Sequence, residues 1–197
     1  MQKTSRAESQ AKTREQLLVA AERLFLRDGY AITTLERVAA EAGFSKGAVY
    51  SNFAKKDELC LAVLDRIHAR NGATLIGHVG TADSIDERLA RLTAWAEGNI
   101  GETGWTVLEV EFATANRTNE DARRQLRSRR KFIVTVLAQL LQEQSDELGV
   151  ALPVSATSAA EAVLALGTGL GVQRSVDPSV SIEPLIDLIR TFTQAKS

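Results

Sequence analysis

A short stretch of small, polar and cationic residues is the part of this chain best suited to binding another molecule. Residues 45–48 read Ser-Lys-Gly-Ala, and side chains of this size let the N-terminus of a helix approach a partner closely. The exposed N–H groups and the positive dipole end of a helix N-terminus favour phosphate. The stretch therefore indicates a surface that contacts nucleic acid.

Signatures of catalysis and metal binding are missing from the sequence. It holds no Gly-rich phosphate loop, nucleophile elbow, metal-binding histidine pair or spaced carboxylate pattern. His68 and His78 are too few for a metal site, and the single Cys60 excludes an internal disulfide. We therefore expect no enzyme activity, no cofactor and no metal.

Two short helices joined by a tight turn are predicted to present residues 45–48. Thr33 stands three residues before Glu36, the spacing of a capping box, so we expect Thr33 to cap the first helix. Gly43 supplies the positive φ that ends this helix, and Ser45 caps the next one. Such a pair is a helix-turn-helix, whose second helix can lie in the major groove of DNA.

Apolar periodicity along the rest of the chain predicts an all-α protein of about nine helices. A first helix should end at Gly29, Asp57 should cap a long helix, and glycines between Arg70 and Ser84 should weaken helical order. Residues 105–115 fit either a helix or a strand. Four further helices are predicted. One is capped by Ser84, one covers about residues 119–149, and one extends from after Pro153 to about Arg174. The last helix carries Leu185 and Phe192.

Charge divides the chain into two predicted domains. Residues 1–56 carry ten basic and six acidic residues, whereas residues 57–197 carry 14 basic and 19 acidic ones. We predict a DNA-binding domain over 1–56, with a disordered tail over about 1–10, and a ligand-binding and dimerisation domain over 57–197. With no signal peptide or membrane span in the sequence, we expect a cytoplasmic protein.

About residues 12–65 resemble the TetR family of transcriptional regulators, and the shared motif begins at Thr33. The family pattern ends with a lysine that also begins a Lys-Asp-Glu-Leu segment, found here at residues 56–59. The matching positions are Thr33, Thr34, Val38, Ala39, Ala42, Gly43, Phe44, Ser45, Gly47, Tyr50, Phe53 and Lys56.

The resemblance implies a way of docking on double-stranded operator DNA. Thr34, Tyr50 and Lys56 would hold phosphates, and residues 45–48 would face the groove. Family members often carry an aromatic or His pair after the tyrosine, whereas this chain has Ser51 and Asn52, of which Asn52 can donate a hydrogen bond. The predicted DNA-binding set is Thr33, Thr34, Ser45, Lys46, Gly47, Ala48, Tyr50, Asn52 and Lys56.

The resemblance also implies a small-molecule effector and a homodimer formed by the last two helices. Residues 159–172 carry no charge beyond Glu161, which favours burial in a dimer or inside one chain. Aromatic side chains with a few polar groups are typical of ligand sites, although the tryptophans could also fill the core or the surface. The predicted effector residues are Trp95, Trp105, Glu109, Phe112, Asn116 and Phe132.

Two hypotheses for function follow from the sequence. In the first, the chain is a repressor that binds a palindromic operator as a dimer and is released by an effector that moves the helix starting near Asp57. In the alternative, the second domain serves only dimerisation or protein contact, and DNA binding is independent of any ligand. A basic cluster at residues 123–131 is interpreted as a solvated helix face.

Overall fold

The computed structural model describes residues 6–193 apart from 80, 81, 83, 102 and 103. Every regular element in this part of the chain is a helix, which confirms the predicted all-α class and makes residues 105–115 helical. The nine helices are α1 (Arg6–Ile32), α2 (Leu35–Glu41), α3 (Lys46–Tyr50), α4 (Lys56–Val79), α5 (Ile85–Asn99), α6 (Trp105–Ala115), α7 (Glu120–Leu148), α8 (Ala156–Val176) and α9 (Glu183–Thr193).

These helices form two compact units. The first unit takes the chain through Arg70 and adds Leu108–Asn116, and the second comprises Asn71–Val107 and Arg117–Ser197. Residues of α4 and α6 therefore belong to both units. This division reflects spatial proximity, and the functional boundary between residues 56 and 57 stays a prediction.

The first unit is built around the apolar faces of α1, α2 and α3, which we call the head. Leu17 and Phe25 bury the apolar face of α1, and Val38, Val49 and Phe53 are completely inaccessible to solvent. Burying side chains of this size stabilises a fold by about 1.5–3 kcal/mol each. Helix α3 has only five residues, so packing holds it in place rather than intrinsic helix propensity.

Local capping signals explain several helix ends. The Ser45 hydroxyl accepts from the Ala48 N–H at the start of α3, and the Ser84 hydroxyl accepts from the Glu87 N–H at the start of α5. Gly149 ends α7 in the left-handed conformation. The predicted helix ends at these three positions are confirmed.

Four predictions about helix ends are wrong. Thr34, not Thr33, caps α2, because its hydroxyl accepts from the Arg37 N–H. Helix α4 begins at Lys56, so Asp57 lies in its first turn, and it continues through Gly72 and Gly77 to Val79. Helix α1 begins at Arg6, so residues 6–10 are not a disordered tail, while residues 1–5 lie outside the described residues.

Helices α5, α8 and α9 share the core of the second unit. Gly171 of α8 allows a close approach to α6, because a Cβ at this position would lie 2.6 Å from the Thr106 Oγ1. Arg174 donates to the carbonyls of Ile100 and Val180, each at 2.7 Å, and so ties the end of α5 to the α8–α9 connection. The buried core residues are Ala96, Ile100, Leu170, Ile182, Leu185 and Ile186.

Gly29 interrupts α1 at the position where the sequence predicts its end. Its φ of 82° and ψ of 169° lie in a region that essentially only glycine adopts. A Cβ there would also approach the Glu111 carboxylate to 2.9 Å. Both the backbone conformation and the neighbouring side chain therefore require glycine.

We expect Gly29→Ala to lower the free energy of unfolding by about 1–3 kcal/mol, the usual cost of a residue held in such a conformation. Urea denaturation followed by circular dichroism measures this change. Gly72→Ala is the control, because Gly72 lies inside α4 with open space around it, and alanine there should stabilise by about 0.5–1 kcal/mol. If both substitutions changed the free energy of unfolding equally, the requirement for glycine at position 29 would be contradicted.

Candidate nucleic-acid interface

The turn between α2 and α3 fixes the position of α3. Gly43 adopts a φ of 72°, and the Phe44 N–H donates to the Ala39 carbonyl at 2.9 Å. Ala39 and Val49 are buried beneath this turn. Because the apolar side of α3 is held against the core, its other side faces away from the protein.

That outer side of α3 is small, polar and exposed. Ser45, Lys46 and Gly47 are exposed, and Ala48 is half-buried. A Cβ on Gly47 would meet only the Ser45 Oγ, at 3.9 Å, so the surface is open at this point. Tyr50 keeps 46% of its surface exposed. This arrangement lets the N-terminal part of α3 approach the floor of a DNA groove.

One carboxylate on α2 contacts two of the predicted DNA-binding side chains. The Glu36 Oε1 lies 2.7 Å from the Lys46 Nζ and accepts from the Tyr50 hydroxyl at 3.0 Å. Lys46 also lies 5.7 Å from the centroid of the Tyr50 ring. The hydrogen bond from Lys46 lowers the pKa of Glu36 to about 2, and the same contact raises the pKa of Lys46.

Three residues of the predicted DNA-binding set are engaged within the head. Thr33 has no exposed surface, and its hydroxyl donates to the Gly29 carbonyl at 2.8 Å, which leaves it no means of contacting DNA. The Asn52 Nδ2 donates to the Ala48 carbonyl at 2.8 Å. The Lys56 Nζ donates to the Tyr30 carbonyl at 2.9 Å. Thr34 is exposed at the N-terminus of α2, where a phosphate contact remains open to it.

Sequence reasoning missed Arg14 of α1. Its guanidinium lies 4.0 Å from the centroid of the Phe53 ring and donates to the Asn52 carbonyl at 2.7 Å. These contacts join α1 to the segment that follows α3. Only the three-dimensional fold brings Arg14 there, so periodicity along α1 gave no signal for this role.

Asp28 joins α1 to α2. Its carboxylate accepts from the Arg27 Nε at 2.7 Å and also accepts from Arg37. These hydrogen bonds, that from Arg27 above all, hold the pKa of Asp28 down at about 2. The ionised carboxylate therefore stabilises the packing of α2, and through it the position of α3.

A cluster around Tyr30 joins the end of α1 to α6 within the first unit. The Glu111 Oε2 accepts from the Tyr30 N–H at 2.7 Å, and the ring of Phe112 packs edge-on against that of Tyr30 at 5.2 Å. The Tyr30 hydroxyl donates to Asp57 and accepts from the Asn116 Nδ2 at 3.4 Å. Burial raises the pKa of the Tyr30 phenol, so it stays protonated and able to donate.

Known proteins share both the head and the helical fold. Residues 17–63 match the family described as "Bacterial regulatory proteins, tetR family". The chain is 31% identical over 146 residues to the HTH-type transcriptional regulator YfiR of Bacillus subtilis (strain 168), a match that covers 71% of this chain and 69% of YfiR. The chain belongs to the TetR family.

Two further similarities limit what carries over from other TetR-family proteins. The HTH-type transcriptional regulator ArpR of Pseudomonas putida is 44% identical over 82 residues, 42% of this chain and 37% of ArpR, so the chain spans little more than a third of that relative. A transcriptional regulator from Saccharomonospora viridis, solved in complex with choline, is 22% identical with a TM-score of 0.70, over 92% of this chain and 95% of that one. Identity at this level shows a shared fold alone.

Membership of the TetR family settles the general activity. The chain is a DNA-binding transcriptional regulator. Among the described residues, no group of three or more His, Cys, Asp or Glu side chains could hold a metal ion. Within the same residues, no helix combines the length and apolar character needed to cross a bilayer.

The six predicted effector residues of this TetR-family chain divide between the units. Glu109, Phe112 and Asn116 belong to the first unit. There Phe112 and Asn116 pack against Tyr30. The Glu109 Oε2 lies 3.3 Å from the His68 Nε2. In the second unit, the Trp95 Nε1 donates to the Thr74 hydroxyl and the Trp105 Nε1 to the Asn99 carbonyl. Phe132 is 70% exposed. The effector set stays a prediction.

Asn71 of α4 is a polar residue that sequence reasoning missed. Its Nδ2 is buried and has no hydrogen-bond partner among the described residues, a state that is rare and costly in folded proteins.

A concavity of about 530 Å³ elsewhere in the second unit is lined by none of the predicted effector residues. Its walls are formed by Gln142, Ser145, Asp146, Gly149, Val150, Ala151, Leu152, Val154, Ser155 and Ala156.

The lowered pKa of Asp28 predicts a loss of stability in acid. A carboxyl group whose pKa is lower folded than unfolded stabilises the fold above its unfolded pKa of about 4, and this contribution disappears as the pH falls towards about 2. We expect Asp28→Asn to destabilise the protein at neutral pH, with a difference from the wild type that shrinks below about pH 4.

Urea denaturation at several pH values measures this difference. Asp121→Asn is the control, because the Asp121 side chain is 79% exposed in its ion pair with Arg124 and such pairs contribute little. A difference between Asp28→Asn and the wild type that stayed constant down to about pH 2 would rule out this origin of the stability.

Proposed function

We propose that this chain is a repressor that binds a palindromic operator as a homodimer and is released by a small-molecule effector. The exposed surface of α3, held rigidly on the head, carries this proposal. Its DNA contacts would come from residues 45–48 at the groove, where the long side chain of Lys46 would reach a phosphate, and from Thr34 and Tyr50 on phosphates. Because operator DNA is its partner, the protein would work in the cytoplasm.

Not all of the predicted phosphate contacts are equally supported. Lys46 and Tyr50 are exposed, and Thr34 lies at the exposed start of α2. Lys56 and Asn52 would have to give up internal hydrogen bonds before they reached DNA. The buried Thr33 is left out of the proposed interface.

An apolar stripe on α8 supports the homodimer. Residues separated alternately by four and three positions lie on one face of a helix, and along this stripe Ala162, Ala165 and Val176 are exposed, the last with 85% of its surface accessible. The opposite face of α8, with Ala160 and Gly171, is buried. An exposed stripe of this kind is typical of a helix that packs against a second copy.

Asn71 supports an effector site in the second unit. A buried amide N–H without a partner would be satisfied by a carbonyl, carboxylate or hydroxyl oxygen of a ligand. Trp95 and Thr74, which are hydrogen-bonded to each other, belong to the same unit and could contribute an aromatic face and a hydroxyl. A solved structural neighbour holds choline, and the effector of this chain would be a molecule of comparably small size.

Helix α4 would transmit the effector signal. Its N-terminal turn holds Asp57, which accepts from Tyr30 at the end of α1, and its later turns hold Asn71. The two recognition helices of a dimer must lie about 34–36 Å apart to enter successive major grooves. A ligand that shifted α4 would change this separation and lower operator affinity by about 5–150-fold, the usual range of allosteric coupling.

The alternative is a regulator whose second unit serves only dimerisation or protein contact. The Asn71 amide, which has no hydrogen-bond partner among the described residues, favours the effector hypothesis over this one, because a filled structural core would normally satisfy such a group. A screen for compounds that release the bound operator separates the two hypotheses.

We expect Lys46→Ala and Tyr50→Phe to weaken binding to an operator selected from a random DNA pool. Each variant loses one phosphate contact, and Lys46→Ala should also reduce the slope of log affinity against log salt concentration by about 0.9. Fluorescence anisotropy at several salt concentrations measures both quantities, and circular dichroism checks the fold.

Arg124→Ala serves as the control, because it removes a cation that is 70% exposed on α7, outside the head. It should leave operator affinity close to that of the wild type. Unchanged affinity of both head variants would refute the proposed docking, whereas a wild type that selected no preferred sequence would refute operator binding itself.

We expect Ala165→Glu to dissociate the homodimer, because it places a charge within the exposed stripe of α8. Sedimentation analysis should show a monomer, and operator affinity should fall at least tenfold because two half-sites would no longer be bound together. Thr157→Glu is a matched control on an exposed position that lies two turns before Ala165 and about 80° around the same helix from it. A dimer that survived Ala165→Glu would assign the interface to another surface.

A further inference from the structure

Glu36 is an anion on the surface that is proposed to meet an anionic partner. Its carboxylate keeps 46% of its side-chain surface exposed, beside a Lys46 side chain that is 65% exposed. DNA presents a dense row of phosphate charges, so a carboxylate at this position repels the ligand. A surface selected only for tight DNA binding would not keep it there.

The contacts made by the Glu36 carboxylate resemble those that a bound phosphate would make. A single oxygen, Oε1, receives both the Lys46 ammonium at 2.7 Å and the Tyr50 hydroxyl at 3.0 Å. A phosphate oxygen bound by an ammonium and a phenol would make the same two contacts. While Glu36 occupies this position, the Tyr50 hydroxyl and one N–H of the Lys46 ammonium are not available to donate to DNA.

We propose that Glu36 is an affinity-setting residue that competes with DNA phosphate for Lys46 and Tyr50. The inference rests on the proposed function, because it takes these two side chains as phosphate contacts. In the free protein Glu36 neutralises Lys46 and holds the Tyr50 hydroxyl. On DNA, a phosphate replaces Glu36 as their partner, and the displaced carboxylate stays close enough to repel it.

This competition does not depend on pH near neutrality. The pKa of Glu36 is lowered to about 2, so the carboxylate remains ionised and does not act as a pH switch. The cations and acids around it are few: Lys46 and Tyr50 come from α3, and Arg37, the next residue on α2, is directed to Asp28. The effect of Glu36 on DNA affinity is therefore constant and always opposes binding.

Competition weakens binding to any DNA, which matters most away from the operator. Non-specific binding depends almost entirely on phosphate contacts, so a head with fully available cations would be retained on bulk DNA. Glu36 reduces this retention without changing the groups that read the bases. The residue thus keeps more of the protein free to search for its operator.

The test compares Glu36→Gln with Glu41→Gln in the full-length protein. Both substitutions remove one negative charge from α2, but Glu41 pairs with Arg23 of α1 and not with the recognition helix. We expect Glu36→Gln to tighten binding to a duplex of random sequence by about two- to fivefold, the worth of an exposed ion pair. Its salt slope should also steepen by up to about 0.9.

A second background tests whether Glu36 acts through its two partners. In the double variant Lys46→Ala/Tyr50→Phe, adding Glu36→Gln should change affinity no more than adding Glu41→Gln does. Circular dichroism confirms that each variant is folded, and anisotropy with random-sequence and operator duplexes supplies the affinities.

Three outcomes would overturn the proposal. Glu36→Gln could bind DNA no more tightly than Glu41→Gln, or more weakly, which would make Glu36 a brace that positions Lys46 and Tyr50 for DNA. The gain could also persist in the Lys46→Ala/Tyr50→Phe background, which would make it a general charge effect. These outcomes differ from a failure of the proposed function, in which the wild type itself binds no duplex.

Discussion

Close packing of α2 against α3 is the constraint on which the rest of the head depends. The Phe44 N–H bonds to the Ala39 carbonyl, and a side chain larger than that of Ala39 would push the two helices apart. Helix α3 is too short to be stable alone, so its orientation depends on the packing of Val49 and Phe53 and on this turn. A rigid α3 in turn lets small residues on its outer side approach a groove without further ordering. Because α3 is already ordered, binding requires less loss of conformational entropy, and this increases affinity.

Electrostatic contacts then decide which cations of the head remain available to DNA. Arg37 is directed to Asp28, Lys56 to the last carbonyls of α1, and Arg14 to the face of Phe53. These side chains hold the head together. Lys46 is different, because its partner Glu36 is itself exposed, and exposed ion pairs exchange partners at little cost. The head therefore separates cations that maintain its structure from one that is poised for exchange with phosphate.

Helix content, several helix ends and the helix-turn-helix could be predicted from the sequence because they depend on neighbouring residues. Ser45 and Ser84 cap helices through an N–H three residues away. The adjacent threonines show the limit: either could cap α2, and the buried environment that takes Thr33 is formed by the fold. Glu111 bonds to Tyr30 across 81 residues of chain, and no periodicity in the sequence indicates such a pair. The same holds for the burial of Asn71, which depends on how its neighbours pack.

A recognition helix of five residues presents few side chains to the bases, so one head cannot supply much sequence discrimination. Each mismatched base pair costs about 1–3 kcal/mol, and a genome offers millions of competing sites. Two heads joined by a dimer add their discrimination and gain avidity from binding together. A dimer formed through the apolar stripe of α8 would therefore compensate for the small surface of α3. If Glu36 competes for Lys46 and Tyr50 as proposed, one head alone would bind phosphate weakly. Affinity would then require both half-sites, and a change in the separation of the two heads would have a large effect on it.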